Sequence, residues 1–288
     1  MMKKKMIWMF TAILFCGASM TVEAQNLDVP EPYFTTKDMP DMVKFLPAPP
    51  DTTSTLFVND IMQYMWGKTM RLNPERAEIA KRDAVYGLET IIAEFSEPFG
   101  LQISKSGTPA IYKLMLDATA TCDSICTLPK IHYMRKRPFA RFNEPSLVPE
   151  QEESHRTNGS YPSGHTILGW SSALLLSEIN PDRADTIIAR GYMYGESRVI
   201  AGYHWQSDVD AARLAASVAY AKIHTSERFL QQMAQARQEF QQLTGVRPAT
   251  INKPQTDSAV IYDLQGRQVD APSSQGVYIN NGKKVMMK

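Results

Sequence analysis

Three short clusters between residues 130 and 208 hold the side chains of this 288-residue chain that could do chemistry. In SRVIAGYHWQSD, His204 and Asp208 are one helical turn apart. A carboxylate at that spacing can accept a hydrogen bond from the imidazole, which leaves the other ring nitrogen free as a base, a nucleophile or a metal ligand. A structural His–Asp pair is the commoner explanation for this element alone, and the sequence offers too few further ligands for a metal site.

The segment YPSGHTILGW places Ser163, Gly164 and His165 where an apolar helix should begin. Backbone N–H groups and the helix dipole attract an anion at such a position. Glycine leaves room for the anion to approach, and Ser163 adds a hydroxyl donor. His165 would face the same anion, placed to give or accept a proton, although a capping or packing histidine is commoner for so short a motif.

The segment KIHYMRKRP supplies cations. Lys130 and Arg137 are seven residues apart, so on a helix they would project from nearly the same face about two turns apart, and Pro138 would end that helix. A basic run taken alone is usually a solvated surface, and we interpret Arg135 and Lys136 in that way.

Helix signals dominate the elements that must position these clusters, and strand alternation is scarce. Residues 74–96 predict one amphipathic helix, and a polar helix is expected at about 226–244. The chain is therefore predicted to be all-α, a helical bundle with a short C-terminal β appendage. The site would be assembled by helices around 130–137, 163–179 and 204–222.

The N-terminus has the pattern of a secretory signal peptide, residues 1–24. Three lysines precede an apolar core shorter than the roughly 20 residues of a spanning helix, which disfavours the alternative of a retained anchor. No later stretch is apolar and long enough to insert in a membrane. Removing three lysines and one glutamate with the signal leaves 28 basic and 29 acidic residues, so nothing favours a nucleic acid partner.

The rest of the chain is predicted to form an N-terminal arm (25–53), a helical domain (54–250) and a β-rich tail (254–288). The tail is similar to those that some Gram-negative bacteria attach to exported proteins, and a loosely packed tail is the alternative. Cys122 and Cys126 could form a disulfide in an oxidising compartment or remain two buried thiols.

The three clusters occur in order as Lys-x6-Arg-Pro, Pro-Ser-Gly-His and Ser-Arg-x5-His-x3-Asp. This combination resembles the signature of the type 2 phosphatidic acid phosphatase superfamily, whose fold is shared with vanadium haloperoxidases. The sequences of three segments resemble those of the soluble bacterial class A nonspecific acid phosphatases, namely HYMRKRPFARF, NGSYPSGHTILGW and SRVIAGYHWQSDVDAAR. The resemblance covers about residues 27–245. The resemblance implies a periplasmic or exported enzyme, a homodimer, that hydrolyses small-molecule phosphate monoesters at acid pH without a cofactor.

The resemblance also implies roles for individual residues. His204 would attack phosphorus to form a phosphohistidine, Asp208 would orient it, and His165 would protonate the leaving alkoxide and then activate water. Phosphoryl transfer mainly needs positioning and charge stabilisation, so cations of this kind make a metal unnecessary. The residues expected to bind the phosphoryl oxygens are Lys130, Arg137, Ser163, Gly164 and Arg198.

Opposite protonation requirements predict a bell-shaped pH profile, since His204 must start unprotonated and His165 protonated. Transfer to alcohols could accompany hydrolysis. The alternative function is a vanadium-dependent haloperoxidase, which vanadate would activate, whereas it would inhibit a phosphatase. The polar loop 143–161 is expected to overhang the site and to set specificity. For Tyr203 and Trp205, packing and substrate contact both remain open.

Overall fold

The chain divides into two units, residues 1–245 and 246–288, and the described part of the first unit, residues 26–245, is a bundle of α-helices. The predicted signal peptide, residues 1–24, lies outside the described residues. The computed structural model describes residues 26–245, 261–263, 267–269, 276–280 and 283–287.

Helices account for most of residues 26–245, and the prediction of an all-α fold is confirmed. Short 3₁₀ turns lie at Ser124–Cys126, Pro149–Gln151 and Pro181–Arg183. The α-helices are α1 Met42–Phe45, α2 Thr55–Met70, α3 Pro74–Arg82, α4 Leu88–Phe99, α5 Pro109–Asp123, α6 Thr127–Tyr133, α7 Pro138–Phe142, α8 Glu152–Arg156, α9 Gly164–Ile179, α10 Ala184–Ile200, α11 Gln206–Ile223 and α12 Glu227–Thr244.

Helix α9 lies at the centre of the bundle, packed against α10, α11, α5 and α4. It is apolar on most of its circumference, which is the pattern of a buried helix. Two glycines let α9 and α10 approach closely. A Cβ atom on Gly169 would lie 2.6 Å from the Tyr194 ring, and one on Gly191 would lie 2.5 Å from the Cβ of Ala173.

Capping residues explain where the last helix begins and ends. The Ser226 side chain accepts a hydrogen bond from the Phe229 amide at the start of α12, and Gly245 ends it with a positive φ of 70°. Serine is a favoured N-cap, and glycine adopts the left-handed conformation at little cost. The polar helix expected at 226–244 is therefore confirmed.

The single helix predicted for residues 74–96 is wrong, because the chain breaks between α3 and α4. Gly87, with φ of 136°, starts the second helix in a conformation that other residues rarely adopt. Buried Asp83 anchors the break by accepting hydrogen bonds from Arg190 and from the Ser197 hydroxyl. Apolar periodicity continues through the break, which is why the pattern did not reveal it.

Residues 26–53 form turns and the one-turn helix α1. Met39, Met42 and Leu46 are buried in the main apolar core, so this segment packs on the bundle rather than extending from it. No helix among the described residues is long and apolar enough to cross a membrane.

The second unit contains a small antiparallel sheet of strand order β2-β1-β3-β4. Strands β3 and β4 pair with Tyr278 opposite Val285, and residues 281–282 between them lie outside the described residues. The prediction of a short β appendage is confirmed. The strands are β1 Ile261–Tyr262, β2 Gln268–Val269, β3 Gly276–Asn280 and β4 Lys283–Met287.

Candidate active site

A cavity of about 710 Å³ opens beside the N-terminus of α9. The break between α3 and α4, helix α6 and the loop 143–161 all contribute to its wall. Both predicted catalytic imidazoles line it, which places them on one binding volume. The predicted site residues in its wall are Lys130, Arg137, Gly164, His165 and His204.

His204 lies just before α11, whose N-cap is Trp205. Its Nδ1 is 3.4 Å from Asp208 Oδ2, which also accepts a hydrogen bond from the Trp205 amide at 2.9 Å. Its Nε2 is 3.0 Å from Arg137 Nη1. Because Arg137 can only donate, these contacts fit a ring protonated at Nδ1 with the Nε2 lone pair toward the cavity.

The pKa of His204 is held well below its usual range, first by burial and then by the charges of Arg137, Lys130 and Arg198. Both effects disfavour imidazolium. The ring is therefore neutral near neutral pH, as a nucleophile requires.

His165 lies in the first turn of α9, and its Nε2 donates a hydrogen bond to the Ala84 carbonyl oxygen at 3.1 Å. The Tyr86 ring meets it edge to face, with centroids 4.7 Å apart. Burial, and then the charge of Arg198, hold the pKa of His165 well below its usual range. The expectation that His165 is protonated in the free protein therefore differs from the structure, because sequence reasoning could not weigh its burial.

Lys130 and Arg137 do not share a helix, so that prediction is wrong. Helix α6 ends at Tyr133, Met134 is left-handed with φ of 42°, and Arg137 is the N-cap of α7. The two cations nevertheless converge, because both donate to the Gly159 carbonyl oxygen, at 3.0 Å from Lys130 Nζ and 3.3 Å from Arg137 Nη2.

Gly159 is a residue that the motif analysis missed. A Cβ atom there would lie 2.4 Å from the Lys130 carbonyl oxygen, so only glycine fits this close approach. Arg137 Nε also donates to the carbonyl oxygens of His155 and Asn158, both at 3.2 Å. The Asn-Gly pair within the loop was the available signal.

Arg198 is fully buried on α10, against the face of the Tyr203 ring. Within the described part of the chain, none of its three guanidinium nitrogens has a hydrogen-bond partner. A buried cation without partners is costly, and a bound anion would satisfy it. Arg198 itself is absent from the cavity wall, so its expected binding of phosphate stays a prediction.

The three cations remain charged in acid and neutral solution. Burial is the main cause that lowers the pKa of Lys130 to about 8, and of Arg137 and Arg198 to about 10. Their positive charges surround the imidazoles and favour an anionic ligand.

Ser163 is the N-cap residue of α9, and its expected donation to a phosphoryl oxygen stays a prediction. Its hydroxyl oxygen accepts hydrogen bonds from the Thr166 amide at 3.3 Å and the Thr166 hydroxyl at 2.9 Å, and it is absent from the cavity wall. It therefore caps α9. Gly164 does line the cavity, and a Cβ there would meet its nearest described neighbour, the Tyr86 hydroxyl oxygen, at 3.5 Å.

Arg135 is not solvated, so its interpretation as a surface cation is wrong. Its side chain is only 8% exposed and forms ion pairs with Asp208 and Asp60. Asp208 lies on α11 and Asp60 on α2, and no local sequence pattern indicates that both carboxylates meet Arg135.

Two cysteines, two aromatic residues and the loop 143–161 surround the site. Cys122 and Cys126 are both free thiols. Tyr203 and Trp205 are buried packing residues, with ring contacts to Phe139 and Phe57 respectively. The loop 143–161 contributes part of the cavity wall, namely Gln151, His155, Thr157, Asn158 and Gly159.

The helical fold and a cavity in which two imidazoles meet several cations define a protein of the PAP2 superfamily, and the model of that superfamily matches residues 112–228. The chain is 41% identical over 246 residues to the non-specific acid phosphatase of Providencia stuartii, covering 83% of this chain and 99% of the relative.

Two further relatives agree with this assignment. The non-specific acid phosphatase of Salmonella typhimurium is 37% identical over 73% of this chain and 84% of the relative. The acid phosphatase of Zymomonas mobilis is 32% identical over 82% of this chain and 89% of the relative. The chain belongs to the class A nonspecific acid phosphatases of the PAP2 superfamily, and it is a phosphatase.

Proposed function

We propose that this phosphatase hydrolyses small-molecule phosphate monoesters in acid solution through a phosphohistidine on His204, without a metal ion or cofactor. The observation that carries the proposal is the orientation of His204. Its Nδ1 faces Asp208, and its Nε2 faces Arg137 in the cavity that His165 also lines.

Substrate binding would place the phosphoryl group among Lys130, Arg137 and Arg198. Arginine forks match phosphate oxygens bidentately, and lysine adds a point charge. The amide groups at the start of α9, beside Gly164, add the favourable end of a helix dipole. Arg137 would then transfer its hydrogen bond from His204 Nε2 to a phosphate oxygen, which frees the lone pair.

The first chemical step forms the bond from His204 Nε2 to phosphorus and breaks the bond from phosphorus to the ester oxygen. His165 gives its proton to that oxygen. In the second step water attacks phosphorus, its proton goes to His165, and the bonding pair returns to His204 Nε2. Asp208 stabilises the positive charge on the phosphorylated ring. An alcohol in place of water would give phosphotransfer.

The proton on His165 would arrive with the substrate. The pKa of His165 is low in the free protein, but a phosphate monoester has its second pKa near about 6 and carries a proton in acid solution. Bound phosphate also favours imidazolium. A substrate-borne proton accounts for activity in acid despite the burial of His165.

The buried cations Lys130, Arg137 and Arg198 support a hydrolase of this kind, because they supply the positive charge that phosphoryl transfer needs. The relatives reported above are named acid phosphatases, which favours this function over the vanadium haloperoxidase alternative. We further propose export to the periplasm or beyond, a homodimer, and substrate selection by the loop 143–161.

The test is hydrolysis of p-nitrophenyl phosphate by the purified chain, with and without chelator, beside His204→Ala. Chelator should leave the rate unchanged, vanadate should inhibit, and His204→Ala should lose at least about a thousandfold in kcat. His132→Ala, an exposed histidine outside the cavity wall, is the matched control. Full activity of His204→Ala, or loss of wild-type activity with chelator, would overturn the proposal.

A further inference from the structure

Arg135 joins the catalytic carboxylate to a second buried carboxylate. Its Nη1 donates to Asp208 Oδ1, and its Nη2 donates to Asp60 Oδ2 at 2.7 Å. The side chains of Asp60 and Asp208 are 1% and 0% exposed. The guanidinium is thus shared between two buried anions.

Helix α2 fixes this arginine from the other side. Asp60 Oδ1 accepts the Ser207 amide at 2.8 Å, and Asp60 Oδ2 accepts the Ser207 hydroxyl at 2.6 Å. Ser207 Oγ in turn accepts from Arg135 Nη1 at 2.8 Å. The Arg135 guanidinium also stacks over Trp205, with its carbon 5.5 Å from the ring centroid. These contacts leave Arg135 little freedom to turn away from Asp208.

The two oxygens of Asp208 therefore serve different partners. Oδ1 accepts from Arg135, while Oδ2 accepts from the Trp205 amide and faces His204 Nδ1. An ion-paired carboxylate draws the imidazole proton less strongly than a free one, because its charge is partly neutralised. A carboxylate attenuated in this way makes its imidazole partner less basic.

We propose that Arg135, held by Asp60, is a positioning residue that attenuates Asp208 and thereby speeds the breakdown of the phosphohistidine. The inference rests on the proposed function, since it concerns the second half of that reaction. When water attacks phosphorus, the electron pair of the N–P bond returns to His204 Nε2. A less basic imidazole accepts that pair more readily and is the better leaving group.

The closing experiment compares phosphoenzyme chemistry in charge-matched variants. Arg135→Met combined with Asp60→Asn removes one cation and one anion, so no added net charge is buried. Lys136→Met, on an exposed neighbour, is the control for loss of a cation. Single-turnover rates of phosphoenzyme formation and decay are measured with p-nitrophenyl phosphate by rapid quench.

In the double variant, decay of the phosphoenzyme should slow at least tenfold and its steady-state fraction should rise. Formation of the phosphoenzyme should change less than its decay. The single variant Arg135→Lys, which keeps the positive charge, should retain most of the wild-type decay rate, and Lys136→Met should decay at the wild-type rate. In Asp60→Asn, Arg135 no longer divides its charge between two carboxylates and pairs with Asp208 alone, so decay should be faster than in wild type. This single variant keeps the test decisive if the double variant does not fold.

A slower formation step with unchanged decay would overturn the inference, because that is the result of a merely structural role. Unchanged or slower decay in Asp60→Asn would overturn it as well. Absence of any phosphoenzyme in the wild-type protein would instead identify failure of the proposed function, and the inference would fall with it.

Discussion

His165 and His204 are chemically alike but are held by different partners. His204 faces a carboxylate and an arginine, whereas His165 donates to a backbone carbonyl and lies beside Arg198. An imidazole that faces Asp208 can stabilise positive charge after phosphorylation. One beside a carbonyl and a cation gives up a proton readily, which suits an acid that protonates a leaving group.

His165→Ala should therefore discriminate between leaving groups. For an alkyl phosphate, kcat/KM should fall by about 10² to 10⁴, the usual contribution of a general acid. For p-nitrophenyl phosphate the loss should be much smaller, because nitrophenolate leaves without protonation. The measurement is kcat/KM on both esters, with His132→Ala as the control. Equal losses on the two esters would contradict the assignment of His165 as the acid.

Lys130 should limit anion binding in alkali. Its pKa is lowered to about 8, so it loses its charge above that pH while Arg137 and Arg198, near 10, keep theirs. The inhibition constant of inorganic phosphate should then rise by up to about tenfold per pH unit between pH 8 and 9, where only the proton of Lys130 is lost. Lys130→Arg should flatten the rise. A constant value through this range would refute it.

At the scale of elements, the close packing of α9 on α10 connects stability to the site. Helix α9 carries His165 and α10 carries Arg198, so any separation of the two helices changes the distance between acid and anion-binding cation. Gly169 and Gly191 are the residues that permit their close approach. The helix break at Ala84 acts on the same region, since its carbonyl orients His165.

Gly191→Ala should force these helices apart. Its Cβ would lie 2.5 Å from the Cβ of Ala173, a contact so short that we expect the upper part of the usual overpacking cost of about 1–3 kcal/mol, against a helix-propensity gain of roughly 1 kcal/mol. The thermal midpoint, followed by circular dichroism, should fall by several degrees, and KM should rise. Gly107→Ala, whose Cβ would meet the Ser104 hydroxyl oxygen at 3.0 Å and no other atom of the described residues within 4 Å, is the control. Unchanged or increased stability of Gly191→Ala would disprove the argument.

At the scale of the whole molecule, the two buried imidazoles make stability depend on pH. In the folded protein the pKa of each imidazole is below its usual value, which is near 6.5 and applies to the unfolded chain. At a pH between these two pKa values, only the unfolded chain takes up the protons. Their contribution to stability is complete above pH 6.5 and is lost as pH falls. Each histidine lowers the free energy of unfolding by at most about 1.4 kcal/mol per pH unit.

Thermal midpoints should accordingly fall between pH 7.5 and 5, and inorganic phosphate should raise them more at pH 5, because it supplies a partner for imidazolium. His165→Asn removes one of the two proton acceptors, so its midpoint should fall less steeply with acid. His132→Ala should keep the wild-type slope. Parallel slopes for wild type and His165→Asn would show that His165 does not contribute.

The sequence by itself determined the fold class and predicted the candidate site residues. His204, Asp208 and His165 could be predicted as site residues because motif spacing is local, and the bounds of α12 because its two caps, Ser226 and Gly245, act through neighbouring backbone. The order of the three motifs then indicated one phosphoryl-transfer site.

Only the tertiary structure decided the protonation of His165, the role of Arg135 and the need for Gly159. Burial sets the protonation of His165, and carboxylate partners on α2 and α11 set the role of Arg135. Close approach to the Lys130 carbonyl oxygen requires glycine at position 159. Each depends on atoms far apart in the chain. Solvent exclusion and long-range contacts arise only when the helices pack, so a local pattern of residues cannot predict them.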